Sequence, residues 1–373
     1  MPLSNSNVEI QDLEWKAAQS QVSDGWYDLL ENGNHNLYLS PDWINAIASA
    51  HNYIAKLRAL VAHKHNRIVG ILPYQVETVK MFGIPMKKIA LAGMSGYHQD
   101  IVAEDRQELL RALFAKYSES RWHVFQTAGL VAGSNATKAV KNIARDMGGH
   151  LLVYPGESSP YLRINTSWEE FLASKSGNFR YTLKRKEKAL RKNGDLQERW
   201  FFTHDDIEDL FEAMLKIEEH SWKTKANIAI SDTEHEQNYY RMLLPFLAKR
   251  KALFAMVLYL DKQPVAYFLC CFWQGRVCNL KTSFHESYSK LAPGSVVIHF
   301  AVRKAFELGA KEVDFLGDAQ HHKLLWSDSV RHHEIYYLFS RRIRARSVGM
   351  IKKCLHTFRA PDMGGPIYRK TTS

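Results

Sequence analysis

Apolar and polar positions alternate along this chain with two different periods. Stretches at about 57–62 and 68–76 flank the polar turn His63-Lys64-His65-Asn66, which predicts a β-hairpin. Ser40-Pro41 reads as an N-cap and first helical residue, with Trp43, Ile44 and Ile47 on the helix that follows. Leu109, Leu110, Leu113, Phe114 and Tyr117 recur at helical spacing over 105–117. A strand at Trp122 to Gln126, a helix near 136–147 and a strand near 150–154 complete the first half. Residues 1–35 are polar and predict no particular element.

Pro155-Gly156 and Ser158-Ser159-Pro160 give the strongest boundary signal. Beyond it, Tyr161 to Ile164 reads as a strand, and Thr166 with Glu169 as a capping box. Phe179 to Asn193 reads as a helix stopped by Gly194, and Leu196 to Phe202 as a strand. Thr203 caps a helix carrying Leu210, Phe211, Met214 and Ile217, and a further helix at 236–249 contains Pro245. From 253 the period becomes two. Leu253 to Leu260 and Val265 to Trp273 flank the turn Asp261-Lys262-Gln263-Pro264, and Arg276 to Ser283 is a third strand. A helix at 295–308 and strands at Val313 to Leu316 and Glu334 to Phe339 follow. Leu60 to Pro73 echoes Leu258 to Cys271, each a hairpin with a small residue early in its second strand. The echo favours two copies of one α/β unit.

The 373 residues suit two domains, and 46% hydrophobic with 24% charged residues is a globular composition that excludes fibrous and disordered classes. No run approaches the ~18 apolar residues of a spanning helix. Met1-Pro2 opens a polar segment without signal-peptide character, and the four cysteines are too few for a disulfide scaffold. A reducing, cytoplasmic compartment is the simplest reading. The net charge is +11, and residues 341–373, with nine basic side chains and one acid, Asp362, supply +8 of it. This basic tail is either a loosely packed, solubilising end or a contact for the inner face of a membrane. No zinc-finger or recognition-helix signature argues for nucleic acid.

Three segments carry candidate chemistry. Pro293-Gly294-Ser295 precedes a helix whose free N–H groups and dipole suit a phosphate, with Val296 in its first turn. An ordinary loop and cap is the alternative. The helix at 180–192 bears seven basic residues, among them Arg180, Lys184, Lys188 and Arg191 on one face, fit either for an anion or for solvent. Asp314-Phe315-Leu316-Gly317-Asp318 ends a strand, followed by His321, His322, Lys323 and Trp326. A carboxylate or histidine there could take a proton, and Lys323 could neutralise a phosphate or an oxyanion. The adjacent histidines are a poor zinc set. Trp222 and Lys223 close a helix that could face the same cleft, and His285 and Tyr288 could line its entrance. Buried, unreactive thiols are expected for Cys270, Cys271 and Cys278.

Several segments in order resemble the cellulose-biosynthesis CelD/BcsL-like family of the GNAT superfamily. They are Ser159-Pro160-Tyr161-Leu162, Trp168-Glu169-Glu170-Phe171-Leu172, Phe179 to Lys186, the Asp261 to Ala266 turn, Leu291 to Ser295, Glu312 to Asp318, and His322-Lys323 with Leu325-Trp326. Ile71-Leu72-Pro73-Tyr74 resembles the degenerate first unit of the same proteins. The resemblance implies a tandem GNAT-like α/β fold with mixed, mainly antiparallel sheets: a degenerate domain at 1–155, an acyltransferase domain at 156–340 and a basic tail at 341–373. It implies direct transfer from acetyl-CoA or another acyl-CoA to an amine or hydroxyl of a sugar or cell-envelope precursor. FemABX-like transfer from aminoacyl-tRNA and a non-catalytic binding role are the alternatives. Under it, Asp318, His322, Lys323 and Asp314 are the catalytic candidates. Pro293, Gly294, Ser295, Val296 and Lys281 would hold the cosubstrate, and Arg180, Lys184, Trp222, Lys223, His285, Tyr288 and Trp326 the acceptor. No metal is expected, and the oligomeric state is left open.

Overall fold

A computed structural model describes residues 8–93, 98–118 and 122–358. Up to Ser158 the chain forms strand β1 (Val8–Glu14), helices α1 (Trp15–Gln21), α2 (Ser23–Asn32) and α3 (Pro41–Ala50), and strands β2 (Leu57–Lys64), β3 (Arg67–Met81), β4 (Ile84–Leu91) and β5 (Val102–Ala103). Helix α4 (Arg106–Lys116), strands β6 (Val124–Gln126) and β7 (Leu130–Val131), helix α5 (Asn135–Met147) and strand β8 (His150–Arg163) follow. The next segment contains helices α6 (Trp168–Ser174) and α7 (Gly177–Lys192), strand β9 (Leu196–Phe201), and helices α8 (Ile207–Glu218), α9 (Trp222–Lys225) and α10 (Glu234–Lys249). Strands β10 (Leu253–Leu260), β11 (Gln263–Trp273) and β12 (Arg276–Phe284), helix α11 (Pro293–Glu307), strand β13 (Glu312–Asp314) and helix α12 (His321–Leu324) continue it. Strand β14 (Ser329–Phe339) and helix α13 (Ile343–Phe358) close the described chain.

Two compact units result. Unit 1 comprises Met1–Ala48, Asn52–Ser158 and Arg331–Ser373; unit 2 comprises Ser159–Val330 with Ser49–His51. The chain leaves unit 1 inside β8 and returns to it inside β14. The Pro/Gly/Ser stretch does mark the switch, but no loop lies there: strands expected at 150–154 and 161–164 are one continuous strand. Arg331–Phe339, expected in the second domain, belongs to unit 1, because β14 pairs with β6 through Tyr337↔Gln126, Leu338↔Phe125 and Phe339↔Val124.

In unit 1, β1, β2, β3 and β4 pair antiparallel in sequence, and β4 pairs parallel with β6. In unit 2, β9, β10, β11 and β12 pair antiparallel in sequence, and β12 pairs parallel with β13. The same pattern of four antiparallel strands and a parallel fifth therefore occurs twice. The hairpin echo marks equivalent places: β2–β3 and β10–β11 each shift register near the turn, at Ala62/His63 and Leu258/Tyr259. Gly70 of β3 is closely packed: a Cβ there would lie 2.9 Å from Leu109 Cδ1 and 3.0 Å from Ala103 Cβ.

Local chemistry explains most boundaries. Ser134 caps α5 by accepting from Thr137 N, and Gly148 ends it at φ 59°. The capping box of α6 is Ser167 with Glu170, one residue later than the expected Thr166 and Glu169. Helix α8 begins at Ile207 rather than behind a Thr203 cap. The N-terminal segment, which had predicted nothing, supplies β1, α1 and α2 and buries Trp15, Trp26 and Leu30. The segment after Arg341 is not a loose tail over its described part, because Ala345 and Val348 of α13 are fully buried with Met86, Val124, Leu152 and Phe339. The rest of the tail lies outside the described residues. The core of unit 2 is built from β10 and β11 on one side and α11 on the other, including Phe254, Met256, Phe268, Val297 and Ala301.

Candidate active site

Strand β12 runs into α11, and α11 returns to β13, which pairs parallel with β12. The C-terminal ends of both strands and the start of α11 therefore share one end of unit 2, where α/β sheets mount ligand sites. The pairing is short: Arg276, Val277 and Cys278 face Glu312, Val313 and Asp314, and β13 then ends. Residues 279–284 of β12 run on without a β13 partner. A register shift between Leu269 and Cys270 on the β11 side bends the strand at this point. In unit 1 the equivalent pairing joins Lys88–Ala90 of β4 to β6 and stops one residue short of the end of β4.

The start of α11 faces this opening. Ala292 precedes it at φ 52°, no side chain caps it, Pro293 occupies the first turn and no acid lies there. Backbone N–H groups of Ser295 and Val296 reach back to Ala292 O at 3.0 and 3.4 Å. Lys186 of α7 donates from Nζ to Ser295 Oγ at 2.9 Å. Burial, with the neighbouring Arg185 charge, holds the Lys186 pKa below its ordinary value. A cation at the positive end of a helix is unfavourable until an anion joins them. Helix α4 of unit 1 has the opposite arrangement: Asp105 accepts from Gln107 N and Glu108 N, and Glu108 lies in the first turn. Gly294 has another cause than close approach to a phosphate, for a Cβ there would lie 2.9 Å from Phe284 Cδ1. Val296 is buried in the core and offers only its backbone.

A buried charge cluster backs the open part of β12. Glu218 at the end of α8 is wholly buried. It accepts from Lys223 Nζ at 2.7 Å, Tyr267 Oη at 2.5 Å and Ile230 N at 2.6 Å. Burial opposes its charge, but Lys281, Lys223 and the Tyr267 bond win and hold its pKa low. Lys281 lies 3.6 Å from both Glu218 and Glu236 and over the Tyr240 ring. Lys223 Nζ also donates to Thr282 O of β12 at 2.8 Å. Desolvation outweighs Glu218 here and brings the Lys223 pKa down to about 8. Lys281, expected to hold the cosubstrate, and Lys223, expected to hold the acceptor, are thus committed to carboxylates inside unit 2. They shape β12 from behind.

At the end of β13, Asp314 is buried and its Oδ1 accepts from Leu316 N at 2.9 Å. It pins the turn and is enclosed, which removes it from the proton acceptors. Leu316 and Gly317 follow at φ 46° and 61°, and Lys323 Nζ bonds Leu316 O at 2.6 Å. That fold presents Asp318 and His322 at the surface. Desolvation, with the Lys323 and His321 charges, holds His322 below the ordinary histidine pKa.

The other candidates separate. The Arg180 guanidinium caps α6 through the carbonyls of Leu172, Ala173 and Lys175, so it is a structural cation. Lys184 is exposed on α7. Trp326 is not an acceptor wall: it is buried, edge-on to Phe179 and stacked with Phe171 and His299. Trp222 is about half exposed, at 48%. His285 follows β12, edge-on to His220 at 4.5 Å and to Tyr288 at 5.3 Å, with its pKa lowered by burial and by His220. Cys270 and Cys271 are buried, and desolvation pushes their thiols far up, so neither is a thiolate nucleophile. Among the described residues no metal-holding group of His, Cys, Asp and Glu occurs.

Sequence reasoning passed over Lys186, Tyr267 and the carboxylate role of Glu218. Lys186 was legible as three residues beyond Leu183 and four before Leu190, on the buried side of a basic helix.

Residues 177–324 match the acetyltransferase (GNAT) domain. The match spans the basic helix, the open strand, α11 and the β13 turn, and it makes unit 2 an enzyme domain of the acyltransferase class. No curated protein matches the chain. Among solved structures, FemX is 11% identical, covers 84% of this chain and 95% of its own, and superposes with a TM-score of 0.56. The C-terminal (DUF2156) domain of a protein described as a lysylphosphatidylglycerol synthetase, from Agrobacterium fabrum, is 9% identical over 90% of this chain and 96% of that one, at 0.55. L-PGS from Bacillus licheniformis is 7% identical, covers 90% and 96%, and reaches 0.53. These likenesses extend over both units and concern the fold. No helix among the described residues is long and apolar enough to cross a membrane.

Proposed function

We propose that the chain transfers an acyl group, acetyl or longer, from acyl-CoA to an amine or hydroxyl of a sugar or related cell-envelope precursor, in the manner of CelD/BcsL-like proteins. One observation carries the donor: an uncapped helix start with Lys186 on Ser295, beside a strand that β13 leaves unmatched. The pyrophosphate would lie at the start of α11 against the Gly294 N–H and the Lys186 ammonium, and the acyl arm would run along 279–284 of β12. The acceptor's lone pair attacks the thioester carbonyl carbon, the C–S bond breaks and the CoA thiolate leaves. The acceptor's proton passes to Asp318 or to His322, whose lowered pKa keeps its ring neutral near pH 7. Lys323 and Asp314 hold the turn that presents them. Calorimetric titration with acetyl-CoA and longer acyl-CoAs tests the donor, and absence of binding to all of them overturns it. Asp318→Asn lowers turnover about 100-fold if that carboxylate is the base; unchanged turnover leaves the role to His322.

A second reading has its own support. Lys184, Arg185 and Lys188 are exposed on α7, and FemX shares the fold. An aminoacyl-tRNA donor would make binding fall steeply with salt. A tRNA affinity indifferent to salt would dismiss it.

A further inference from the structure

Helix α13 is apolar around much of its circumference, and the core uses only part of it. Ala345 and Val348 face Met86, Leu152 and Phe339. Ile343 and Met350 lie on the opposite side of the helix and Ile351 and Leu355 on the flank between; the four are 86%, 56%, 40% and 43% exposed. At about 100° per residue these four cover an arc of roughly 140°. Arg344 is exposed within this arc, and Arg346 and Lys353 are exposed along its rim. The sequence 343–358, IRARSVGMIKKCLHTF, contains no acid. A second element shares this end of unit 1: at the β3–β4 turn Phe82 is 48% exposed, while its neighbours Met81 and Ile84 pack on the cluster that holds Ala345 and Val348.

We infer that α13 lies along the surface of an anionic bilayer, with Ile343, Met350, Ile351 and Leu355 sunk between the acyl chains, Arg346 and Lys353 among the headgroups and Arg344 extending its stem up to them. Charge decides the occupant. A second copy packed on this face would bring like charges together across the interface, and a nucleic acid would set phosphates against the apolar stripe. A negatively charged leaflet meets both features at once, apolar side chains below and cations at the rim. The inference is independent of the acyl-transfer reading.

The test is sedimentation of the full chain with vesicles of phosphatidylcholine alone, and with about a third phosphatidylglycerol. Strong binding only to the anionic vesicles is expected, falling at least about tenfold in Ile343→Glu/Met350→Glu. Replacement of Arg344, Arg346 or Lys353 by Gln should each weaken it about fivefold. The glutamate variant alters only exposed positions, so its thermal midpoint should match the parent; if it does not, the glutamine variants carry the test. Equal binding of parent and variants, or no binding to anionic vesicles, overturns the inference. So does a dimer that the glutamates dissociate in a protein that ignores vesicles.

Discussion

Lys186→Met removes the cation at the start of α11 while keeping a side chain of similar length. The ammonium lies 2.9 Å from Ser295 Oγ, so a phosphate bound at that helix start would sit about 4 Å from it. At an effective dielectric constant of about 20 to 40 the attraction is about 2–4 kcal/mol. Partial exposure and salt reduce this to about 1.5–3 kcal/mol, or roughly a 10- to 100-fold loss in CoA affinity. The ammonium is held below its ordinary pKa by burial, and an anion would draw it up, so binding by the parent should weaken at high pH and that dependence should vanish in the variant. Titration calorimetry with CoA, and with an acyl-pantetheine lacking the phosphates, separates the effect from a general loosening. Equal CoA affinity in parent and variant, or equal losses for both ligands, would refute the argument.

Three further outcomes follow from named contacts. Lys223→Met leaves Glu218 with fewer partners in the core and should destabilise the protein by about 3 kcal/mol in urea unfolding. The folded pKa of Lys223, about 8, lies below its unfolded value near 10.5; the unfolded chain then binds more protons above pH 8, so this group's contribution to stability rises by about 2 kcal/mol between pH 7 and 9.5, a rise absent from Lys223→Met. Gly294→Ala presses a methyl onto Phe284 and should cost about 1–2 kcal/mol of stability, restored by adding Phe284→Leu. Val348→Asp should destabilise by more than about 3 kcal/mol, whereas Ile343→Asp, 86% exposed, should leave the thermal midpoint unchanged.

The parts of the fold that sequence made legible are those whose apolar period is local: the two hairpins, α5, α7 and α11. Residues 8–32 were illegible because β1 shows a half-buried pattern at the sheet edge and α1 and α2 bury only a few large side chains each. The continuity of β8 was hidden because prolines at 155 and 160 read as breakers, although a strand tolerates them where no ladder N–H is required. At the site, the helix start and the β13 turn could be named because glycine, proline and short polar residues mark them. Which basic side chain reached them was marked only by spacing, since α7 offers seven and Lys186 is the one set between Leu183 and Leu190 on the buried side. Glu218 was hidden for a different reason. Its partners Lys223, Tyr267 and Lys281 come from different elements, and only the folded unit brings them to one carboxylate.

The two crossings inside β8 and β14 make unit 2 an insertion within unit 1. A ribosome therefore delivers all of Ser159–Val330 before it delivers Arg331–Phe339, the strand that β6 must pair with. The catalytic half can reach its native state while the opening half still lacks its closing strand. A nascent chain stalled once Val330 has cleared the exit tunnel should accordingly hold a protease-resistant core from the inserted segment and a cleavable remainder on its N-terminal side.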